Sequence, residues 1–310
     1  MSTATPATSS SSLTSADEIA RLSRPKRSSK ALIGMIASYV GMALIVLYCI
    51  VPFYWMIVSS LRLPSMGRDT SFIPNPASFA NFKAVFGPDN NFGRSLINSL
   101  IVSGTTTVLT LVFGIVAAYA LARLKFRGKG GVLWIVMACS MFPLVVLLPP
   151  LLKMFSSTPP FGWFPYWVNT YQSVIIPGLS FGLPLAVWNL TAFFRQMPVE
   201  LEQAAMVDGC TPGEAFRKVI LPLAAPGVFT TAIIVFIGSW NEFLLALTFL
   251  QDPNKQTATV AISKFTGAAA FDTPYGSIMA AGVIVTVPLL VAVLIFQRRI
   301  VAGLTAGGVK

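Results

Sequence analysis

Six long apolar stretches, near residues 31–60, 97–121, 132–155, 171–194, 227–250 and 277–300, leave this chain few ways to fold. Crossing a bilayer core takes about 20 apolar residues as a helix. No water is available there, so every backbone N–H and C=O must bond inside its own helix or in a closed barrel. Runs of this length specify helices. The sequence is 55% hydrophobic and only 11% charged, too little polar surface to cover a soluble domain of 310 residues. The expectation is an all-α polytopic membrane protein with six transmembrane helices over 31–300. Pro143, Pro149 and Pro150 interrupt the third stretch, and Pro177 and Pro184 the fourth. A bundle can absorb such breaks.

Lys and Arg accumulate in cytoplasmic connections. Arg21, Arg24, Lys26, Arg27 and Lys30 precede the first stretch. Arg123, Lys125, Arg127 and Lys129 follow the second, Arg195, Arg217 and Lys218 lie after the fourth, and Arg298, Arg299 and Lys310 close the chain. Both termini are therefore expected in the cytoplasm. The basic residues flank span ends, so the net charge of +11 gives no reason to invoke nucleic acid. The first thirty residues, rich in Ser, Thr and Ala, read as a disordered basic tail. The apolar run after them is too long for the core of a secretory signal.

Some chemistry is excluded. The sequence has no histidine, which removes histidine acid–base catalysis and the common zinc sites, and no metal site is expected. Nor is there a G-x-x-x-x-G-K-[ST] phosphate loop, so the chain is not expected to be an enzyme or to hydrolyse ATP. Cys49, Cys139 and Cys210 form no disulfide framework.

The connection from Pro198 to Pro226, within a cytoplasmic loop over 195–226, reads as two short helices. Glu200 and Glu202 suit the positive end of the first, and Gly209 is placed to end it in a left-handed cap. Thr211, Pro212 and Glu214 form a capping-box pattern for the second, which Pro222 stops. Leu201, Ala204, Ala205 and Asp208 are expected on one face, a knob for a groove. An amphipathic loop on lipid headgroups gives the same periodicity.

In S-W-N-E-F of the fifth stretch, Trp240, Asn241 and Glu242 lie inside an apolar run, where a carboxylate must face the bundle interior or a watery cavity. They either line a translocation pathway or clamp helices together. Gly34 with Gly41, Gly104 with Gly114, and Gly276 with Gly282 suggest close helix packing. Thr105, Thr106, Thr107 and Thr110 more readily bond their own backbone than a polar solute.

Gln203-Ala204-Ala205, Asp208-Gly209 and Ile220-Leu221-Pro222 resemble the EAA loop of binding-protein-dependent ABC importer permeases of the carbohydrate type. In that family the loop's short helix docks in a cleft of the ATPase subunit. The resemblance implies the ABC importer permease fold and coupling roles for Glu202, Gln203, Ala204, Ala205, Asp208, Gly209, Leu221 and Pro222. Gln203 stands where the family usually has glutamate, leaving Glu202 and Asp208 as the acidic side chains nearby. The end of the chain, 301–310, is similar to the tail of the smaller maltose-importer permease subunit. This implies that Gly303, Leu304, Thr305, Ala306, Gly307 and Gly308 reach the ATPase dimer. The resemblance further implies a second, different permease subunit, two ATPase subunits holding ATP and Mg, an extracytoplasmic solute-binding protein, a sugar substrate and a bacterial inner or plasma membrane. This chain itself would need no cofactor. The alternative class is a secondary transporter or channel working without an ATPase, which favours two related halves with ion sites in broken helices.

Overall fold

A computed structural model describes residues 29–66, 69–87, 90–157, 162–265 and 274–306, with side chains from 33 and up to 295. The basic tail expected over the first thirty residues lies outside the described residues except at its end. The chain divides into two units, Met1–Trp55 and Met56–Lys310. Helix α1 (Ser29–Ser60) begins in the first and contains Pro52. All other elements lie in the second.

Those elements are α2 (Ala80–Val85), α3 (Phe92–Arg123), α4 (Lys129–Ser140), α5 (Leu144–Phe155), α6 (Gln172–Gln196), α7 (Glu200–Val207), α8 (Pro212–Leu223), α9 (Ala225–Trp240), α10 (Leu244–Phe249), α11 (Ala258–Ser263) and α12 (Tyr275–Ala306). Every regular element among the described residues is helical. Among the described residues four helices, in α1, α3, α6 and α12, are long and apolar enough to cross a membrane, and up to six spans result if each of two bent pairs counts as one.

One bent pair lies within the third stretch, and the other joins the loop helix α8 to the start of the fifth; prolines lie at both bends. The third stretch breaks at Met141–Pro143, where α4 and α5 meet at 85°. Proline disfavours helical backbone at its predecessor, here Phe142, which lies outside α4, and Pro143 is extended at ψ 120°. Between α8 and α9 the chain bends by 70°, with Pro222 and Pro226 on either side. The fourth stretch behaves differently. Helix α6 runs unbroken through Pro177 and Pro184, both buried in the bundle.

The bundle is centred on α3 and α6, with α9 packed on both and α12 on α9. Its polarity is inverted relative to a soluble protein. Ser95, Asn98, Ser99, Ser103, Thr106, Thr107 and Thr110 form the buried face of α3, while Ile97, Val108, Val112 and Val116 are exposed. Small residues let the backbones approach: a methyl group on Gly114 would sit 3.2 Å from the Ala186 Cβ, and one on Gly182 would sit 3.1 Å from the Thr110 hydroxyl. Of the glycines expected in close packing, Gly114, Gly276 and Gly282 are in it. Gly34, Gly41 and Gly104 have nothing within 4 Å of the place a methyl group would occupy.

Beyond α1, the chain forms a folded cap on one end of the bundle. Asn81 of α2 is buried and donates to Ser60 O at 3.0 Å and Arg62 O at 2.7 Å. Asn98 of α3 donates to Asn254 O and Gln256 O, each at 2.9 Å, and accepts from the Tyr171 hydroxyl at 2.8 Å. At the opposite end, Ala118, Leu190, Phe194, Ile220 and Ala224 form a core that seats α8 against the ends of α3 and α6.

Candidate functional site: the α7–α8 loop and the break in the fifth stretch

The connection after α6 folds as two short helices, both capped. Asp208 ends α7, Gly209 follows at φ +92°, and its N–H donates to Met206 O at 3.1 Å while that of Cys210 reaches back to Ala205 O at 3.0 Å. These paired bonds are a Schellman motif, which requires left-handed backbone at the glycine. Two residues later the Thr211 side chain accepts from the Glu214 N–H, and Glu214 accepts from the Thr211 N–H at 3.0 Å. This reciprocal box satisfies two otherwise unpaired donors at the start of α8. Glu214 also holds Lys218 at 2.9 Å. The Lys218 ammonium, followed by the Thr211 bonds, lowers the Glu214 carboxyl to about 2. The charged form of the box is thus complete above the ordinary glutamate range and is lost only as pH falls through about 2.

The loop's two faces differ from the single knob expected. Successive helical residues are 100° apart, so Ala204 and Ala205 cannot share an orientation. Ala205 is buried, whereas Leu201, Gln203, Ala204, Met206, Val207 and Asp208 are exposed, Val207 to 87%. Glu202 shares Ala205's inward side. It accepts a hydrogen bond from Tyr119, and its Oε2 lies 3.6 Å from Arg123 Nε. Arg123 Nη2 donates to Met197 O at 3.1 Å, just before the loop. The sequence contained a signal for this contact: Tyr119 and Arg123, four apart, occupy one face at the end of α3. Leu221 is half-buried and Pro222 exposed.

The fifth stretch holds the second site. The span expected over 227–250 is interrupted: α9 stops at Trp240 and α10 starts at Leu244. No proline or glycine lies at the break. The cause is Glu242, whose carboxylate oxygens accept the N–H of Leu245 at 2.7 Å and of Ala246 at 3.0 Å. In an unbroken helix those donors would bond Asn241 O and Glu242 O. The freed Glu242 carbonyl instead accepts from the Thr259 hydroxyl of α11 at 2.9 Å. The three residues expected to act together are separated. Trp240 is buried and stacks on Phe236 with ring centres 5.7 Å apart, Asn241 is exposed, and Glu242 borders a cavity.

That cavity, of about 230 Å³, lies between α3, α6 and α9, with Thr106, Gly178, Gly182, Val235 and Ser239 around it. The hydroxyls of Thr106 and Thr110 are buried without a hydrogen-bond partner among the described residues, whereas Thr107 bonds Ser103 O at 2.7 Å. The expectation that these threonines bond their own helix thus holds for Thr107 alone among these three. Glu242→Gln replaces one accepting oxygen with an amide nitrogen that faces another donor. It is expected to cost about 1 kcal/mol and to lower the melting midpoint of the purified protein, with uptake reduced only as the folded amount is. A changed apparent affinity for sugar at unchanged stability would instead assign Glu242 to the pathway.

At the far end, Gly303, Leu304, Thr305 and Ala306 continue α12 as helical backbone, past the point near residue 300 where the sixth stretch was expected to stop. Gly307 and Gly308 lie outside the described residues.

Residues 110–305 match the family described as binding-protein-dependent transport system inner membrane component. The chain is 46% identical over 267 residues to the trehalose transport system permease protein SugB of Mycobacterium tuberculosis, covering 86% of this chain and 94% of that one. It is 38% identical over 277 residues to the trehalose/maltose transport system permease protein MalG of Thermococcus litoralis, covering 87% and 95% respectively. A solved bacterial ABC transporter involved in the import of the acidic polysaccharide alginate contains a chain that aligns at TM-score 0.71 and 20% identity, over 88% of this chain and 99% of that one. At that identity the likeness concerns the fold.

Proposed function

The chain belongs to the binding-protein-dependent transport system inner membrane components, and from that premise we propose that it is one permease subunit of a carbohydrate importer. As a family member it is a multi-pass inner-membrane protein and the non-catalytic membrane subunit of an ABC transporter. Family membership also sets aside the secondary transporter or channel. The substrate class proposed is a small oligosaccharide such as trehalose or maltose, the sugars named for two of its relatives.

In this reading both termini and the α7–α8 loop face the cytoplasm, following the Lys and Arg count. A second permease chain completes the pathway, a solute-binding protein delivers sugar from outside, and two ATPase subunits carry ATP and Mg. One ATPase subunit receives the exposed side of α7, with Gln203, Ala204 and Asp208 in contact, while Gly209, Leu221 and Pro222 shape the loop. The helical end of α12, with Gly303, Leu304, Thr305 and Ala306, continued by Gly307 and Gly308, reaches toward the ATPase pair. Of Trp240, Asn241 and Glu242, Glu242 alone borders the cavity, and its role there is to hold the break in the fifth stretch rather than to bind sugar.

The observation that carries this reading is the loop itself. A stretch whose α7–α8 joint is closed by a Schellman motif and a capping box presents exposed Leu201, Met206 and Val207 beside polar Gln203 and Asp208. A rigid surface of mixed polarity suits a protein cleft better than lipid headgroups, and rigidity is what force transmission requires. Moving a two-state bundle from 1:99 to 99:1 takes a differential of about 5.5 kcal/mol. A loop that yielded would dissipate that bias. The test is co-purification with an ATPase followed by reconstitution in liposomes. Trehalose uptake that needs ATP and the binding protein is expected. Flux through this chain alone would overturn the reading.

A further inference from the structure

We propose that Glu202 is a positioning residue, a strut that carries movement of α7 to the end of α3 through Tyr119 and Arg123. The inference rests on the docking role proposed for α7. It assigns to Glu202 a task different from ATPase contact.

Two hydrogen bonds and an ion pair converge at this point. The Tyr119 hydroxyl and the Arg123 guanidinium, one turn apart on α3, both meet the Glu202 carboxylate, one oxygen each. Through Nη2, Arg123 also holds the carbonyl of Met197, where the chain leaves α6 for the loop. The Glu202 side chain is 14% exposed and that of Arg123 8%, so solvent screens this ion pair little. The Tyr119 ring is fixed in turn, edge-on to Phe194 of α6 with ring centres 5.9 Å apart and 4.5 Å from Phe216 of α8. Arg123 also lies in the last turn of α3, where the helix dipole favours a cation.

The consequence is mechanical. Helix α8 is seated by apolar packing, which tolerates small sliding because it has no directional bonds. Helix α7 has a single buried alanine on its inner side, Ala205, and the charged contact of Glu202. The hydrogen bond from Tyr119 is directional and the Arg123 charge lies beside the same carboxylate, so α7 and the end of α3 move together or these contacts break. The neighbouring Gln203 points outward, leaving the two adjacent polar side chains with opposite assignments: Gln203 to the partner and Glu202 to this chain's own bundle.

The test uses the whole complex with its binding protein in liposomes, comparing wild type with Glu202→Gln and Tyr119→Phe. The readouts are trehalose imported per ATP hydrolysed and the amount of ATPase retained on the complex. The strut predicts ATPase retention within about twofold of wild type and a fall of about tenfold in sugar per ATP for Glu202→Gln, a free-energy change of about 1.4 kcal/mol. Tyr119→Phe, which keeps the ion pair and the ring packing, is expected to fall less. It supplies the reading if Glu202→Gln fails to assemble. A merely structural role would lower transport and hydrolysis together, in proportion to assembled complex, with the ratio unchanged. That result would overturn the strut, as would an unchanged ratio in both variants. A Glu202→Gln complex that loses its ATPase while the chain stays folded would move Glu202 to the docking surface. Wild-type protein that binds no ATPase would sink the docking reading, and the strut with it.

Discussion

Gly209→Val is expected to leave the protein in the membrane at its normal level while cutting sugar uptake per ATP hydrolysed by about tenfold. The backbone at this position has φ +92°, a conformation that costs an L-residue about 1–2 kcal/mol and a β-branched one more. No atom lies within 4 Å of the added Cβ, so the penalty falls on backbone shape and not on packing. A cost of that size changes a conformational ratio by a factor of about 5–30. The Schellman bonds of Gly209 and Cys210 then give way, and α7 no longer holds its angle to α8. Asparagine tolerates left-handed backbone, so Gly209→Asn is expected to retain most coupling. Uptake and hydrolysis measured on the same liposomes check both variants, and normal coupling in Gly209→Val would remove the loop's rigidity from the mechanism.

The second large effect is expected at Gly227, at the start of α9. A methyl group there would lie 2.6 Å from both Cγ and Cδ2 of Phe193 and 2.9 Å from Cδ1. Those atoms include the base of the ring, which cannot swing aside as a flexible tip would. Phe193 belongs to the cluster that seats α8, so its displacement disturbs the loop's foundation. Overpacking of this kind costs about 1–3 kcal/mol, enough to change the amount of folded protein several-fold. Gly227→Val is therefore expected to reduce the membrane level and the melting midpoint markedly, with Gly227→Ala intermediate. Gly104→Ala, with nothing within 4 Å, serves as the control and is expected to leave both unchanged.

What the sequence disclosed follows from which interactions are local. The capping box of Thr211 and Glu214 and the left-handed turn at Gly209 depend on residues a few positions apart, and both form as their spacing predicts. The long helices likewise follow from apolar length. The inward orientation of Glu202 was harder to read, because its partners Tyr119 and Arg123 lie about 80 positions earlier. The break after Trp240 was hidden for another reason. An acidic residue in an apolar run signals an unusual environment, but only the folded chain shows its carboxylate capturing the Leu245 and Ala246 donors. Proline gave mixed signals: Pro143 broke a span, whereas Pro177 and Pro184 did not, since neighbouring helices surround them. Glycine did so as well, because close approach depends on what stands opposite.

The hydroxyl-lined face of α3 determines what kind of joint it makes with α6. Ser103 and Thr107 close their bonds on carbonyls one turn back in the same helix, at 2.6 and 2.7 Å. Mid-seam, then, these two side chains hold nothing on α6, and small residues such as Gly114 and Gly182 oppose short neighbours. Polar fastenings from α3 sit at the two rims instead, Asn98 with Tyr171 at one and Arg123 with Met197 at the other. A hinge pinned at its extremities and smooth along its length can slip by a fraction of an ångström without rupturing a bond of Ser103 or Thr107.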